Sequence, residues 1–128
     1  MKDFQQLSLI KLHLNKKKIK TKLVACPTIR EGNGLALSSR NTKLKNNQIL
    51  AAGIIYNYLK KNKRLIHRKL LNKNKNEVVN KLIKLGADKV EYVECLDMKK
   101  LSLSTNTKTN FNIFIAYHIG GVRLIDNL

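Results

Sequence analysis

The sequence predicts a fold of the α/β class, with an α+β C-terminal domain in which helices precede a small antiparallel sheet. An apolar spacing typical of helices recurs through residues 45–85, and it changes to a period of two in the last third of the chain. Gly120-Gly121 separates two strand-like stretches and is typical of a two-residue hairpin turn. We therefore expect a helical pair packed on a three-stranded antiparallel sheet.

The first quarter of the chain has a different pattern. Residues 4–19 have the broad apolar face of an amphipathic helix, and Lys16–Lys18 lie in its last turn, where cations suit the helix dipole. Leu23–Cys26 is a continuous apolar run before a proline, which favours a buried strand. A helix followed by a buried strand is typical of a parallel α/β unit, which needs neighbouring strands. We expect this quarter to be the end of a larger unit.

The helical part is predicted from apolar spacing and from helix-end signals. Residues 45–60 carry an apolar stripe at helical spacing. Residues 65–75 are basic and asparagine-rich, so a loop or a frayed helix is expected there. Residues 77–85 form a stronger helix, supported by a Glu77–Lys81 pair, and Gly86 is a suitable residue just past its end.

Three strands are predicted in the last third. Residues 89–96 are rich in β-branched and aromatic residues, and residues 102–110 form a polar connection. Residues 111–119 alternate, with Phe111, Ile113, Ile115 and Tyr117 on one face, and residues 122–125 return after the glycine pair.

Composition suggests one alternative function. The net charge is +18 and the isoelectric point about 10.2, which favours a nucleic-acid-binding protein. The excess is mostly lysine, however, and it is scattered without interleaved aromatic residues that could stack on bases. Nucleic acid is therefore an unlikely partner. A single continuous basic stripe on the folded surface would favour it, whereas basic residues on all faces would indicate compositional drift.

Cysteine usage and hydropathy bear on the compartment. Cys26 and Cys95 have no metal or redox spacing, and each lies in an apolar run that predicts a core position. No apolar run reaches the length of a transmembrane helix, and the N-terminus does not resemble a signal peptide. We expect a cytoplasmic protein with no membrane partner.

The segment from Pro27 to Asn41 is the strongest candidate for a functional loop. It contains glycines, which allow close backbone approach to a ligand, and a Ser38-Ser39-Arg40 triplet. Serine hydroxyls, backbone amides and a guanidinium together suit phosphate oxygens. The same residues are also common helix caps, so a purely structural role is an open alternative.

Four blocks in this order resemble the pantothenate synthetase (pantoate–β-alanine ligase) family. The opening KDFQQL is similar to that family's GEKDxQQL segment, and PTIRE with GLALSSRN is similar to its PTVRE and DGLAMSSRN segments. VEYV with CLD resembles its YVE strand, and RLIDN resembles its terminal segment. The spacing between the blocks agrees without evident gaps, so the resemblance covers nearly the whole chain.

The resemblance implies a reaction. The family uses ATP to condense pantoate with β-alanine. The pantoate carboxylate attacks the α-phosphorus to form pantoyl adenylate and release pyrophosphate, and the β-alanine amine then displaces AMP. No covalent enzyme intermediate is needed, so the protein contributes positioning and charge stabilisation. The resemblance also implies Mg²⁺ to shield the polyphosphate.

Residues near the start of the chain take implied roles from the same resemblance. Lys2 corresponds to a phosphate-contacting, catalytic lysine, and Asp3 to an acid that contacts the nucleotide, with a ribose hydroxyl as the expected partner. Gln6 corresponds to the pantoate-binding glutamine, whose amide can donate and accept hydrogen bonds. Ile29 corresponds to the position whose backbone contacts adenine.

The serine–arginine triplet corresponds to the family's counterpart of the KMSKS loop, which closes over the phosphates of ATP. Leu37, Ser38, Ser39 and Arg40 are therefore implied to bind ATP, and the last three to be catalytic together with Lys2.

The chain also departs from the family pattern. It lacks the HxGH nucleotide signature of the family's Rossmann-like N-terminal domain, so it resembles the C-terminal half only. Residues 1–27 would be the incomplete end of that ATP-binding domain, and residues 28–128 the C-terminal domain. His118 precedes the hairpin turn and is expected to be a sheet residue, whereas His13 and His67 are expected to be solvated.

Three explanations are open for such a half: a split gene, an internal start after a disruption, or a decaying gene. The expected macromolecular partner is an N-terminal half or a second copy in a homodimer. The half could be part of an ATP-dependent ligase, or a non-catalytic interaction half that docks on a separate chain.

Overall fold

The computed structural model describes residues 3–98, 102–104, 106 and 110–128, apart from the side chain of Gln5. The described residues form four α-helices followed by three strands, and a short 3₁₀ helix (the 3₁₀ turn) lies between the first and second α-helices. Their bounds are α1 Phe4–Lys16, the 3₁₀ turn Ser39–Lys43, α2 Asn46–Lys61, α3 Lys63–Leu71, α4 Lys75–Lys84, β1 Lys89–Asp97, β2 Phe111–Ile119 and β3 Val122–Asn127.

The sheet has the order β1-β2-β3, and both strand pairs are antiparallel, as predicted. Gly120 and Gly121 connect β2 to β3 with φ angles of 58° and 75°. Two consecutive positive φ angles fit a tight turn whose twist matches that of the strands, and glycine adopts them without strain. The register of β1 shifts between Val90 and Tyr92, which places Glu91 at a bulge.

The core lies between the sheet and α2, α3 and α4. One face of β2 contributes Ile113 and Ile115, which are fully buried, together with Tyr117 and Ile119, which are nearly so. The predicted stripe on α2 is confirmed at Ala52, Gly53 and Leu59, although the sequence analysis missed Ile55, which is fully buried. Phe114, on the other face of β2, contacts Phe4 of α1 with a ring-centroid distance of 5.9 Å.

The expectation of a loop or frayed helix at residues 65–75 is wrong for most of its length, because α3 is a regular helix there. Tertiary packing overrides the weak helix propensity: Ile66 is fully buried, and Leu70, one turn later, packs against the core. The asparagines lie at the connection, where Asn72 caps α3 and Asn74 precedes α4. The predicted helical pair is therefore a set of three helices.

Two details of this region also differ from expectation. His67 is not solvated; it is buried, stacks on Phe111 at 3.7 Å and lies 2.8 Å from the Ser104 hydroxyl through Nε2. The expected i,i+4 partner of Glu77 is replaced by Lys69 of α3, at 2.7 Å. Both differences arise because α3 packs beside α4 as a helix.

The first quarter keeps its helix but not its strand. The predicted helix ends at Lys16 rather than at residue 19, and residues 19–29 have no regular structure. Val24 is 66% exposed and Cys26 is exposed, so the predicted buried strand and the predicted core position of Cys26 are both wrong. A strand of this kind needs neighbours, and none of the described strands lies against it. Cys95 is buried, as predicted.

Candidate functional site

The Ile29–Leu37 segment folds back on itself and forms a small loop between α1 and α2. The Leu37 amide donates to the Ile29 carbonyl at 2.9 Å, and the Glu31 amide donates to the Leu35 carbonyl at 2.8 Å. Gly34 has a φ of +95°, and a side chain there would overlap the ring of Tyr56. The sequence therefore brings Ile29 and Leu37, eight positions apart, side by side.

An arginine inside this loop anchors it to the rest of the domain. The Arg30 guanidinium donates to both carboxylate oxygens of Asp126 on β3 and to the Gly34 carbonyl, and it lies 4.2 Å from the centroid of the Tyr56 ring. Burial alone would lower the pKa of Arg30, but the hydrogen bond and charge of Asp126 outweigh it, so the pKa is raised. Asn33 anchors the loop further, because its side-chain amide nitrogen donates a hydrogen bond to the Ile49 carbonyl of α2 at 2.9 Å.

A groove of about 460 Å³ runs between α1 and this loop. Asp3 and Gln6 line one wall, and Ile29 and Leu37 line the other. The four residues come from two separate sequence blocks, KDFQQL for Asp3 and Gln6 and PTIRE with GLALSSRN for Ile29 and Leu37, yet they share one cavity. The other lining residues are Leu7, Ile10, Ala25, Cys26, Pro27 and Thr28.

The groove is mixed in chemistry, which suits a ligand with both apolar and polar parts. Asp3 and Gln6 are exposed polar side chains at the start of α1, whereas Ile29, at 71% exposed, offers an apolar surface. Aliphatic walls with a few placed polar groups are typical of small-molecule sites.

The serine–arginine triplet lies immediately after the groove. Ser38 is the N-cap of the 3₁₀ turn, and its hydroxyl accepts a hydrogen bond from the Arg40 amide at 3.3 Å. The capping interpretation of the segment is therefore confirmed for Ser38. It leaves Ser39 and Arg40 exposed, and the Arg40 guanidinium makes no ion pair with the described residues.

A second, small cavity of about 10 Å³ lies on the inner side of the triplet. Its lining residues include Ser38, Arg40 and Asn41 from the turn and Arg123 and Asp126 from β3. Asp126 also lines a separate groove of about 150 Å³ together with Asp3 and Gln6. The turn, the groove and the end of β3 are thus contiguous, but Ser38 and Arg40 do not line the main groove. Lys2 lies outside the described residues.

Arg123 is held by a charged cluster on the outer face of the sheet. Its guanidinium donates to both oxygens of Glu91, and His118 Nε2 lies 2.7 Å from Glu91 Oε1. The hydrogen bonds from Arg123 and then from His118 lower the pKa of Glu91 to about 2. His118 is a sheet residue before the turn, as predicted, and His13 is exposed, as predicted.

The sequence analysis missed the residues that support the site. Arg30 and Asp126 were recognised only as letters of two motif blocks, and Asn33 and Tyr56 were not assigned to the site. The separation of Arg30 from Asp126 hides their pairing, since no local periodicity connects them. The available signal was an arginine in PTIRE and an aspartate in RLIDN, two residues of opposite charge in blocks that the family resemblance had already singled out.

Three further features of the described residues bear on function. They contain no group of three or more histidine, cysteine, aspartate or glutamate side chains placed to hold a metal ion. Exposed basic residues lie on all four α-helices and in the segment after α1, rather than on one element. Among the helices that the structure describes, none is long and apolar enough to cross a membrane.

Comparison with known proteins assigns the class and then the family. Residues 1–128 match the family model for pantoate-beta-alanine ligase, so the class is that of a ligase. The chain belongs to the pantoate–β-alanine ligase family, and the family resemblance predicted from sequence is confirmed. It is 36% identical to the pantothenate synthetase of Flavobacterium psychrophilum and 38% identical to that of Azobacteroides pseudotrichonymphae, each over 99% of this chain and 46% of the relative.

Solved structures agree with this assignment. A pantoate-beta-alanine ligase from Francisella tularensis, complexed with beta-gamma ATP and beta-alanine, aligns with a TM-score of 0.66 and 38% identity over 98% of this chain and 40% of that one. A pantothenate synthetase from Thermus thermophilus aligns with a TM-score of 0.72 and 25% identity over 98% of this chain and 46% of that one. The chain therefore spans less than half the length of these relatives, and it corresponds to their C-terminal part.

Proposed function

We propose that this chain supplies the C-terminal half of an ATP-dependent ligase that joins pantoate to β-alanine through a pantoyl-adenylate intermediate. In this proposal residues 1–27 complete the ATP-binding domain, and residues 28–128 form the C-terminal domain with the KMSKS-like loop at residues 37–40, here called the phosphate loop. The observation that carries it is the groove shared by Asp3, Gln6, Ile29 and Leu37. Four positions that family resemblance assigns to ligands line one cavity, although they come from two separate stretches of the sequence.

Each residue has a role that its chemistry permits. Gln6 holds pantoate, because an amide can donate to a carboxylate and also accept from a hydroxyl. Asp3 accepts from a ribose hydroxyl, and the Ile29 backbone contacts adenine. All three line the groove, within reach of a ligand that occupies it.

The phosphate groups of ATP would bind at the serine–arginine triplet. Ser39 and Arg40 are exposed, and Arg40 has no competing ion pair among the described residues, so its guanidinium is available to phosphate oxygens. Leu37 connects this turn to the groove, and Ser38 shapes the turn through its cap. We assign Lys2 a second phosphate contact on the basis of family resemblance alone.

Adenylation moves negative charge onto the leaving pyrophosphate. The exposed residues of the serine–arginine triplet are suited to stabilising that charge. As the pantoate carboxylate oxygen bonds to the α-phosphorus, the bond to the pyrophosphate oxygen breaks and negative charge builds on the leaving group. A bidentate donor such as Arg40 stabilises that charge more in the transition state than in the ground state. Mg²⁺ would share this role, bound mainly by phosphate oxygens, because Mg²⁺ prefers oxygen ligands and usually needs few protein groups.

A second polypeptide, or a second copy of this chain, would complete the site. The apolar side chains of α1 and the following segment are unusually exposed, at 67% for Leu9, 57% for Leu12 and 66% for Val24. A patch of this kind is typical of a surface that another chain covers. We propose that the cover is the counterpart of the relatives' N-terminal part, that β-alanine binds between the two, and that the reaction takes place in the cytoplasm. A half that only docks, without catalysis, is the competing proposal.

A chimera tests this proposal. The N-terminal part of the Francisella tularensis relative would be joined to this chain, and pyrophosphate release would be measured with ATP and pantoate, followed by pantothenate formation on adding β-alanine. We expect both activities in the chimera and neither in this chain alone. A Gln6→Leu chimera should lose pantoate-dependent release, whereas Asn47→Leu, which replaces an exposed amide on α2, should not. A folded chimera that releases no pyrophosphate would favour the docking half.

A further inference from the structure

Asn41 differs from every other residue of the 3₁₀ turn in being buried. It is 8% exposed, whereas Ser39, Arg40, Thr42 and Lys43 are all exposed. A buried asparagine side chain in a short surface turn is costly unless its amide is hydrogen-bonded. The hydrogen bonds of Asn41 therefore indicate its structural role in the 3₁₀ turn.

The amide nitrogen of Asn41 ties the turn back to the end of the Ile29–Leu37 loop. Nδ2 donates to the Ala36 carbonyl at 3.1 Å. The backbone amide of Asn41 donates to the Ser38 carbonyl at 3.0 Å, and its carbonyl accepts from Leu44 at the same distance. One residue thus fixes the chain before, within and after the exposed Ser39-Arg40 pair.

The amide oxygen has a different environment. Oδ1 is buried and has no hydrogen-bond partner within the part of the chain that the structure describes. The orientation of the amide is set by the Ala36 carbonyl, which can only accept, so Nδ2 must face it and Oδ1 must point away. Asn41 also lines the cavity of about 10 Å³, which is close to the space that one water molecule occupies.

We propose that Asn41 is the positioning residue of the phosphate loop and that its Oδ1 binds an ordered water in this cavity. Ser38, Arg123 and Asp126 are polar residues of the cavity wall that can serve as further partners of the water. Asn41 touches no substrate in this arrangement. It acts through Arg40, whose backbone lies between the two anchored points, and this part of the inference rests on the proposed function.

Hydrogen exchange on the full chain tests the anchoring without reference to catalysis. Asn41→Leu keeps the approximate volume and removes both polar groups, and Lys43→Ala is a matched control at an exposed position of the same turn. We expect Asn41→Leu to speed exchange of the amides of residues 38–44 by about tenfold or more, while β2 changes by less than about twofold. Exchange equal to that of Lys43→Ala would overturn the positioning role. A crystal structure with a dry cavity would overturn the water site.

A double-mutant cycle in the chimera tests whether Asn41 acts through Arg40. Asn41→Leu should lower the rate of pyrophosphate release by about tenfold with little change in the KM for pantoate, and it should add almost nothing in an Arg40→Ala background. Additive effects would overturn the coupling. If the unmutated chimera is inactive, the proposed function fails, but the exchange experiment still decides whether Asn41 positions the turn.

Discussion

Arg30 and Asp126, which are 96 residues apart in the sequence, form a two-pronged ion pair with nitrogen–oxygen distances of 2.6 and 3.0 Å. Their side chains are only 20% and 11% exposed, so water screens the pair weakly. The pair connects the loop that forms one wall of the groove to the last strand of the sheet. Together with the hydrogen bonds that join Asn33 to Ile49 and to Asn57, the pair holds this wall of the groove in place.

Removing Arg30 should therefore destabilise the domain. Arg30→Ala leaves the largely buried Asp126 carboxylate without its partner, so we expect the free energy of unfolding to fall by about 2–3 kcal/mol. Arg30→Lys should recover only part of the loss, because an ammonium cannot reproduce the fork geometry. Urea denaturation measures both, with Arg64→Ala, an exposed arginine on α3, as the control. Equal midpoints for Arg30→Ala and Arg64→Ala would contradict the expected role.

Gly34 and Gly32 offer a matched pair of substitutions in the same loop. A side chain at Gly34 would overlap the Tyr56 ring and would also need a φ of +95°, whereas nothing lies within 4 Å of a side chain at Gly32. We expect Gly34→Ala to lower stability by about 2 kcal/mol or more and Gly32→Ala to change it by less than about 0.5 kcal/mol. Thermal unfolding of the two variants would measure the difference, and similar losses would refute the explanation.

Stability should fall in mild acid because of His67. Burial lowers the pKa of His67 in the folded state, so the unfolded state takes up a proton first as the pH falls below about 6.5. The contribution of His67 is therefore fully present above that pH and is lost as the pH falls through the folded pKa. Lys63, one turn earlier on α3, also faces Phe111, and its cation would add to the cost of charging His67.

Unfolding free energies measured between pH 7.5 and 5 would show this loss in the unmodified chain. His67→Phe removes the titrating group and keeps an aromatic ring on Phe111, so its curve should be flatter over the same range. His13→Phe, which makes the same replacement at an exposed position of α1, is the matched control. Parallel curves for His67→Phe and the unmodified chain would rule out His67 as the source.

Arg40 should matter for the rate of adenylation rather than for stability. In an active chimera, Arg40→Ala should slow pyrophosphate release by on the order of a hundredfold or more, as the loss of a transition-state donor does, and Arg40→Lys should recover part of it. The affinity for pantoate should change little, since Gln6 is assigned to that substrate. An unchanged rate of pyrophosphate release in Arg40→Ala would contradict a catalytic role, and the triplet would then have only the capping role of Ser38.

Hydrogen exchange in the chain by itself should be uneven. The amides of α1 should exchange quickly, because its apolar residues Leu9 and Leu12 are mostly exposed, while β2 should be protected between two partner strands. In the chimera, the amides of α1 should become protected and those of β2 should stay as they were. Equal protection of α1 and β2 in the chain alone would count against a covering partner.

The parts of the fold that the sequence predicted are those with local signals. The period-two pattern of residues 111–119 and the glycine pair predicted β2, the turn and β3 at nearly their observed bounds. The prediction was wrong where packing decides: α3 forms because Ile66 reaches the core, and Leu23–Cys26 stays irregular because no described strand pairs with it. Local composition is a weak guide in both places, since it carries no information about neighbours.

Family resemblance supplied the candidate site residues, whose roles stay a prediction, whereas the contacts that support them could not be foreseen from the sequence. Asp3, Gln6, Ile29 and Leu37 were recognised through family resemblance, and they share a groove. The Arg30–Asp126 pair and the burial of Asn41 depend on tertiary proximity, which a single sequence does not reveal. The different roles of the three triplet residues were also not visible in the sequence. The Ser38 hydroxyl caps the 3₁₀ turn, whereas Ser39 and Arg40 are exposed.

The two walls of the groove differ in how firmly each is held. Arg30 fastens the wall of Ile29 and Leu37 to the sheet through an ion pair, whereas the described residues of α1 make no ion pair with the sheet and meet it through contacts such as that of Phe4 with Phe114. On warming, the loosely held wall should detach first, and the groove would widen while the hydrophobic core is still intact. Heat would then abolish ligand binding at a lower temperature than it melts the domain, so a melting temperature would overestimate the working range of this protein.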